Sequence, residues 1–247
     1  MTSSPAPSRT IVITGAGSGI GRAAALLLAA PGTRVLALDR NADAAEATAR
    51  AVTDAGGTGL AAACDVTDEA AVQAAFTAVE QVDVLVNSAG IFSDKPLAEV
   101  TATDLRLMYE VNAVGLFITT QAALARMPDG GRIINLASRA YLGSRDHAHY
   151  VPSKAAVVGL TRTLAIELAS RQITVNAVAP GLVLTPMLAG LPEERLAQLA
   201  AAYPGGRLPE AEDVAHVVAF LADLRTRFIN GQILIIDGGR SVGLSPA

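Results

Sequence analysis

The sequence contains no tryptophan, one cysteine and three histidines. A lone thiol, Cys64, closes no internal disulfide, and so few scattered Cys and His residues give a structural zinc ion nothing to bind. Cys64 is therefore expected as a small buried residue. Blocks of lysine or arginine are also missing. The formal charge of −4 comes from acids and bases mixed along the chain, which leaves no stripe to follow a phosphate backbone. No apolar run approaches the roughly 20 residues that span a bilayer, and Met1 to Arg9 lacks the apolar core of a signal peptide. Nucleic acid and membrane are thus not expected as partners, and residues 1–9 read as a short flexible arm on a cytoplasmic protein. No Pro/Gly/Ser-rich linker divides the rest, and no repeat of fixed period runs through it. Residues 10–247 are expected to fold as one domain.

Hydrophobic residues make up 51% of the chain against 17% charged, the balance of a compact globule. Short β-rich apolar runs alternate with longer Ala- and Leu-rich helical patterns, as in βαβ units stacked around a parallel sheet. The runs predict strands at 10–14, 34–38, 59–63, 83–87, 132–137, 174–178 and 232–236. An α/β fold with a doubly wound, seven-stranded sheet is expected.

The first run leads into Thr14-Gly15-Ala16-Gly17-Ser18-Gly19-Ile20-Gly21, followed by a helix expected over 22–30. In that context Gly15 permits a tight turn, Gly19 lets backbone approach a pyrophosphate, and Gly21 lets the helix lie close to the sheet. The helix N-terminus then offers N–H groups to the anion. Asp39 ends the second strand 24 residues after Gly15, where a carboxylate accepts hydrogen bonds from an adenosine ribose and repels a 2′-phosphate. NAD is accordingly expected over NADP. Arg40 has two readings, as a guanidinium accommodating that phosphate or as a solvated loop residue. Asp65, after the third strand, either accepts from the adenine amino group or caps a helix starting near Thr67. Asn87-Ser88-Ala89-Gly90 ends the fourth strand with small residues against which a flat ring or ribose can lie. Asn112 falls on the apolar face of a helix expected over 103–126, where its amide needs a specific partner, in a functional site or a structural network.

Ser138 leaves the fifth strand. Tyr150 and Lys154 share a face if Pro152 lies in the first turn of a helix. A phenol has a pKa near 10, so acting as a base at neutral pH requires a nearby cation, which Lys154 is placed to supply. Ser138 is placed to hold a substrate oxygen beside the phenol. Read alone, the three are surface residues.

The T-G-x-x-x-G-x-G turn at 14–21, N-x-A-G at 87–90, Asn112, Ser138, Y-x-x-x-K at 150–154 and Pro180-Gly181 followed by Thr185 occur in one order. With this set the chain resembles the short-chain dehydrogenase/reductase family, in its single-domain branch, from Thr10 to Gly239. The resemblance implies a Rossmann sheet in the order 3-2-1-4-5-6-7 and hydride exchange between a nicotinamide and a carbonyl or alcohol carbon. It implies Tyr150 as general acid/base, Ser138 orienting the substrate oxygen, and Lys154 on the nicotinamide ribose while lowering the Tyr150 pKa. Asn112 would hold a water that relays protons. Along the dinucleotide it places Gly15, Ser18, Gly19, Ile20, Gly21, Asp39, Arg40, Asp65, Val66, Asn87, Ala89 and Gly90. Pro180, Gly181, Val183 and Thr185 would hold the nicotinamide end. It also implies a homotetramer built partly on the helix after Lys154, whose apolar circumference exceeds what one sheet buries. Three departures stand out: Ser88 replaces a second Asn, Pro186 follows Thr185 where a polar residue is common, and Pro152 lies inside Y-x-x-x-K.

Residues 182–206 read as a substrate lid whose apolar side chains fit a largely apolar alcohol or ketone. Expected substrate contacts are Ser138, Ala140, Tyr141, His147, Tyr150, Met187 and Leu188. A rival reading is a catalytically silent dinucleotide-binding sensor or scaffold. The intact set Asn112, Ser138, Tyr150 and Lys154 argues against it.

Overall fold

The computed structural model describes residues 9–185, 188 and 190–242. Seven parallel strands form one sheet in the order β3-β2-β1-β4-β5-β6-β7. They are β1 Arg9–Thr14, β2 Thr33–Asp39, β3 Thr58–Ala63, β4 Val84–Asn87, β5 Arg132–Leu136, β6 Thr174–Pro180 and β7 Ile233–Ile236. Each expected strand is present, with ends displaced by at most two residues. The first begins at Arg9, which the sequence reading assigned to the arm; the remaining arm residues, 1–8, lie outside the described residues.

The helices are α1 Gly19–Leu27, α2 Ala42–Asp54, α3 Glu69–Phe76, α4 Ala102–Tyr109, α5 Gly115–Leu124, α6 Tyr150–Glu167, α7 Glu193–Ala201 and α8 Ala211–Ala222. Strand alternation sorts side chains between two cores. Ile11, Ile13, Val35, Val84 and Val86 meet α1 and α8 through Ala24, Val214 and Val218 on one face. Val12, Leu36, Leu85 and Ile133 meet α3, α5 and α6 through Phe76, Ala122 and Leu164 on the other. Covering both faces explains the unbroken apolar runs of the central strands, as in any parallel sheet. Strand order reverses between β1 and β4, so a crevice opens at the carboxyl ends of these strands.

Two helix expectations change. α1 starts at Gly19 instead of residue 22 because Ser18 is extended (φ −154°, ψ 173°), so the glycine turn runs straight into the helix. The helix expected over 103–126 is α4 and α5 joined by a π-turn, Glu110–Val114, that contains Asn112. Tyr150 begins α6 and Pro152 sits in its first turn, as the Y-x-x-x-K spacing requires. Among the described residues no helix is long and apolar enough to cross a membrane, and no group of His, Cys, Asp and Glu is gathered to hold a metal. Cys64 is a free, buried thiol that burial pushes up to about 11, away from reactivity at neutral pH.

Candidate active site

The glycine turn is built by close backbone approach. A Cβ on Gly21 would lie 2.2 Å from the Gly15 carbonyl oxygen, and one on Gly15, at φ +64°, would lie 2.8 Å from Ala89. Gly19, at φ +51°, faces open space bounded by the Thr185 methyl, 3.4 Å from where a Cβ would stand. This leaves a cradle between the turn and the segment after β6, with the N–H groups of the first turn of α1 at its floor. Ile20 packs its side chain toward the core, so only its backbone is available to the cradle. Ser18 is exposed and caps nothing with its hydroxyl.

Asp39 stands at the end of β2 beside this turn. Its Oδ2 accepts from Gly17 N at 2.9 Å and its Oδ1 from Asn41 N at 3.0 Å, so each oxygen keeps acceptor capacity. Arg40 is exposed. Asp65 does not cap a helix at Thr67. Its Oδ1 accepts from Thr67 N and Oγ1 in a local turn, while Asp68 caps α3 through Ala70 N and Ala71 N. Those Thr67 bonds, with Arg40 nearby, hold Asp65 below the usual carboxylate range. Val66 is buried against Gly115, where a Cβ would stand 2.6 Å from it.

Across the crevice, the Thr14 hydroxyl accepts from Ser88 N and Ala89 N at 3.1 Å each, tying the turn after β4 to the glycine turn. Asn87 is buried and its side chain is committed: Nδ2 donates to Thr120 Oγ1 and Asn135 Oδ1, and Oδ1 accepts from Thr119 Oγ1. Its amide pins β4 to β5 and α5, which is a structural task. Asn112 is likewise committed. Nδ2 donates to Ile91 O and Ser153 Oγ, and Oδ1 accepts from Ile91 N at 2.8 Å. The structural-network reading therefore accounts for this side chain. A Cβ on Gly90 would lie 3.0 Å from Asn112 Oδ1 and 3.3 Å from Lys154 Nζ, so a larger residue there would crowd both groups.

Tyr150 and Lys154 are both buried on α6. Lys154 Nζ donates to Leu136 O at 2.8 Å and lies 6.0 Å from the Tyr150 ring centroid. Ser138 Oγ accepts from Ala140 N at 3.2 Å and stands close enough to the phenol to draw its pKa down. Burial pushes the Tyr150 phenol above its usual value while Ser138 pulls it back, and burial draws Lys154 down to about 8. In the protein by itself desolvation dominates the phenol, and the lowering expected from Lys154 is not reached. At neutral pH Tyr150 holds its proton and Lys154 is still largely charged.

Sequence reasoning missed the aromatic corner around this phenol. Phe92 meets Tyr150 edge to face at 4.9 Å and the His147 ring at 5.1 Å. A lone Phe after N-x-A-G carries no periodic signal. Tyr141 packs instead against the cluster of Leu116 and Val157. Also missed was Tyr203, a buried residue taken for the end of the lid. Its hydroxyl accepts from Leu182 N at 2.7 Å and donates to Leu182 O at 3.2 Å, and it would meet a Cβ on Gly181 at 2.6 Å. It thereby fixes the turn after Pro180, with Val183 buried beneath and Leu184 N bonded to Pro209 O. Leu188 is half-buried. Met187 and Pro186 lie outside the described residues.

A family model described as enoyl-(acyl carrier protein) reductase matches residues 15–241. The chain is 40% identical to the (2S)-[(R)-hydroxy(phenyl)methyl]succinyl-CoA dehydrogenase subunit BbsD of Thauera aromatica, over 95% of this chain and 97% of that one. It is 42% identical to carbonyl reductase family member 4 of Danio rerio, over 94% and 98%. Among solved structures, a short-chain dehydrogenase/reductase from Serratia marcescens superposes with a TM-score of 0.89 at 39% identity, covering 96% of this chain and all of that one. The angucycline C-6 ketoreductase LanV, solved with bound NADP, also superposes at 0.89, with 34% identity over 95% and 96% of the two chains.

Proposed function

The chain belongs to the short-chain dehydrogenase/reductase family, whose members use nicotinamide cofactors, and on that premise we propose that it is an NAD(H)-dependent ketone reductase and secondary-alcohol dehydrogenase with Tyr150 as its proton donor and acceptor. The observation that carries this is the Tyr150 phenol, buried, beside Ser138 and one helical turn from a buried lysine. The nicotinamide, when bound, supplies or accepts the hydride. The glycine cradle fits its pyrophosphate, since a side chain on Gly15 would collide with Ala89 and Gly19, at φ +51°, leaves its backbone open to the space beside Thr185. Gly90 and Lys154 would hold its ribose, and Pro180, Gly181, Val183 and Thr185 would hold the nicotinamide end.

The protein's own part is to hold an oxygen and move a proton. Ser138 Oγ orients the substrate oxygen toward Tyr150. As a carbonyl carbon gains hydride, negative charge grows on its oxygen and the Tyr150 Oη–H bond breaks to protonate it. The resulting phenolate is stabilised by the Lys154 charge and the Ser138 hydroxyl. In the alcohol direction the same groups act in reverse. Asp39 supports NAD over NADP, because each of its oxygens accepts one backbone N–H and keeps acceptor capacity for a ribose 2′-hydroxyl, whereas a 2′-phosphate there would meet a second anion. The half-buried Phe92 and Leu188 and the exposed Leu142 and Leu184 favour a substrate with an apolar body.

Tyr150→Phe tests the assignment. It should bind NADH within about twofold of wild type, followed by fluorescence, while turnover on a panel of ketones falls about 10³-fold. Near-normal turnover sinks the proton-donor role. Tight NADH binding by the wild type with no turnover across the panel points to a silent binder, and tighter binding of NADPH than NADH overturns the role given to Asp39.

A further inference from the structure

Five consecutive residues after β4 are tied to the start of α6 or the loop before it, Ile91 through Asn112 and the other four directly. Ile91 bonds Asn112 through both its N–H and its carbonyl, and Asn112 Nδ2 donates to Ser153 Oγ, which donates to Tyr150 O at 2.7 Å. Phe92 stacks edge to face on Tyr150. Ser93 Oγ pairs with Nε2 of the fully buried His149 at 2.9 Å. Asp94 Oδ1 pairs with His147 Nε2, whose ring is held on its other side by Ser144 Oγ at 2.8 Å from Nδ1. Lys95 N donates to Asp146 O at 2.9 Å, and Lys95 Nζ bonds Asp104 Oδ2 at the start of α4.

This stitching is one-sided. Gly143, at φ +112°, makes a turn that suits glycine, while Asp146, directly before His147, has φ +59°, a left-handed conformation that a residue with a Cβ adopts only where its neighbours hold it. What keeps it there is the segment 91–95. Phe92 and His147 are also the two rings within 6.2 Å of the Tyr150 ring, at 4.9 and 6.2 Å. Their placement fixes where the phenol points relative to Ser138.

We propose that Asp94 is a positioning residue: by holding His147 it latches the loop before α6 to the loop after β4 and keeps the Tyr150 ring in its proton-transfer position. Asp94 touches neither the phenol nor Ser138 and takes no part in the chemistry. Its carboxylate orients an imidazole, and the imidazole with Phe92 orients a ring. The proposal rests on the reading of Tyr150 as proton donor.

The test uses the full chain and four variants: Asp94→Ala, Asp94→Asn, His147→Ala and the Asp94→Ala/His147→Ala pair. Each is assayed for NADH-dependent reduction of ethyl acetoacetate and acetophenone, for NADH affinity, and for amide hydrogen exchange over residues 139–150. Asp94→Ala and His147→Ala should each lose about tenfold in kcat with NADH affinity within twofold. Exchange over 139–150 should rise several-fold in both. Asp94→Asn, which keeps an acceptor oxygen for the imidazole, should recover most of both, and the double variant should be no worse than the worse single, because the two residues act as one contact. Losses that multiply in the double variant, or kcat and exchange unchanged in Asp94→Ala, overturn the latch. If neither ketone is turned over, exchange alone decides: unchanged protection in Asp94→Ala overturns it and raised protection loss supports it. Wild-type turnover in Tyr150→Phe defeats the proton-donor reading; an inactive Tyr150→Phe beside a fully active Asp94→Ala defeats only the latch.

Discussion

The two sides of the crevice are held by different means. On the side of the glycine turn the geometry belongs to the backbone: Gly15 and Gly21 sit where a single carbon would collide with an amide or a carbonyl, and Gly90 where it would crowd Asn112 and Lys154. On the other side the loops at 91–95 and 139–149 are held by side-chain contacts, an imidazole on a carboxylate, another on a serine and a phenylalanine against a tyrosine, and Gly143 has open space around it. The first arrangement tolerates no variation in residue size and is indifferent to residue chemistry elsewhere. The second can change its occupants and keep its shape. A scaffold that must grip one constant cofactor and admit varied substrates benefits from exactly that division, and loops on a rigid sheet are where such variation is tolerated.

Substitutions on each side separate these two modes. The largest effect is expected from Gly21→Ala, where the new methyl would stand 2.2 Å from Gly15 O and α1 would have to move off the sheet. A loss of roughly 3 kcal/mol or more in stability is expected, together with loss of NADH binding, read as a fallen melting temperature that NADH no longer raises. A wild-type melt would show that the turn is looser than described.

Lys154, between the two sides, gives an intermediate effect of opposite sign. Its folded pKa of about 8 lies below the 10.5 of the unfolded chain. Below pH 8 both states hold the proton and the folded state bears the full cost of a desolvated charge. Between about 8 and 10.5 the unfolded state binds more protons, so stability rises with pH. Lys154→Met should therefore melt higher than wild type at pH 7 without cofactor, by roughly 1 to 2 kcal/mol after allowing for the lost bond to Leu136 O, while losing turnover. That advantage should shrink as pH climbs past 8; a constant or negative difference from pH 6 to 10 would contradict the burial of a charge there.

Gly143→Ala should be the mildest. Nothing lies within 4 Å of where its Cβ would stand, so the penalty is confined to backbone strain at φ +112°, about 1 to 2 kcal/mol. NADH affinity should be unchanged while KM for a ketone rises. If NADH binding falls instead, the two sides are less separable than their construction implies.

The same division decides what could be read from the amino-acid order. Glycines with backbone tasks, an acid closing β2 and a phenol four residues before a lysine all have fixed spacing along the chain, and the seven apolar runs mark the strands to within two residues. Asp39, Ser138, Tyr150 and Lys154 were legible for that reason. Phe92, Asp94 and Tyr203 were not, because each works through a partner 21 to 58 positions away in the chain that no local pattern announces. Asn112 shows the converse: it was legible as a polar residue on an apolar face in need of a partner, and the partners are Ile91 and Ser153, whereas Asn87, read only as part of the turn after β4, is held by Thr119, Thr120 and Asn135. The cap of α3 shows how close the alternatives lie, since Asp65 and Asp68 both follow β3 and both accept backbone amides, but only the amides bonded to Asp68 belong to α3.

The π-turn at Glu110–Val114 bears on how this rod can be exchanged between proteins. Each residue advances an α-helix by about 100°, so one extra residue re-indexes the two halves independently. Upstream of it α4 can present one face to the loop after β4, and downstream α5 can present another to β4 and α3. Splicing in a homologous helix of regular pitch would rotate every side chain beyond the junction out of register. A graft of 102–124 should succeed only when the donor carries the same surplus residue at the same place.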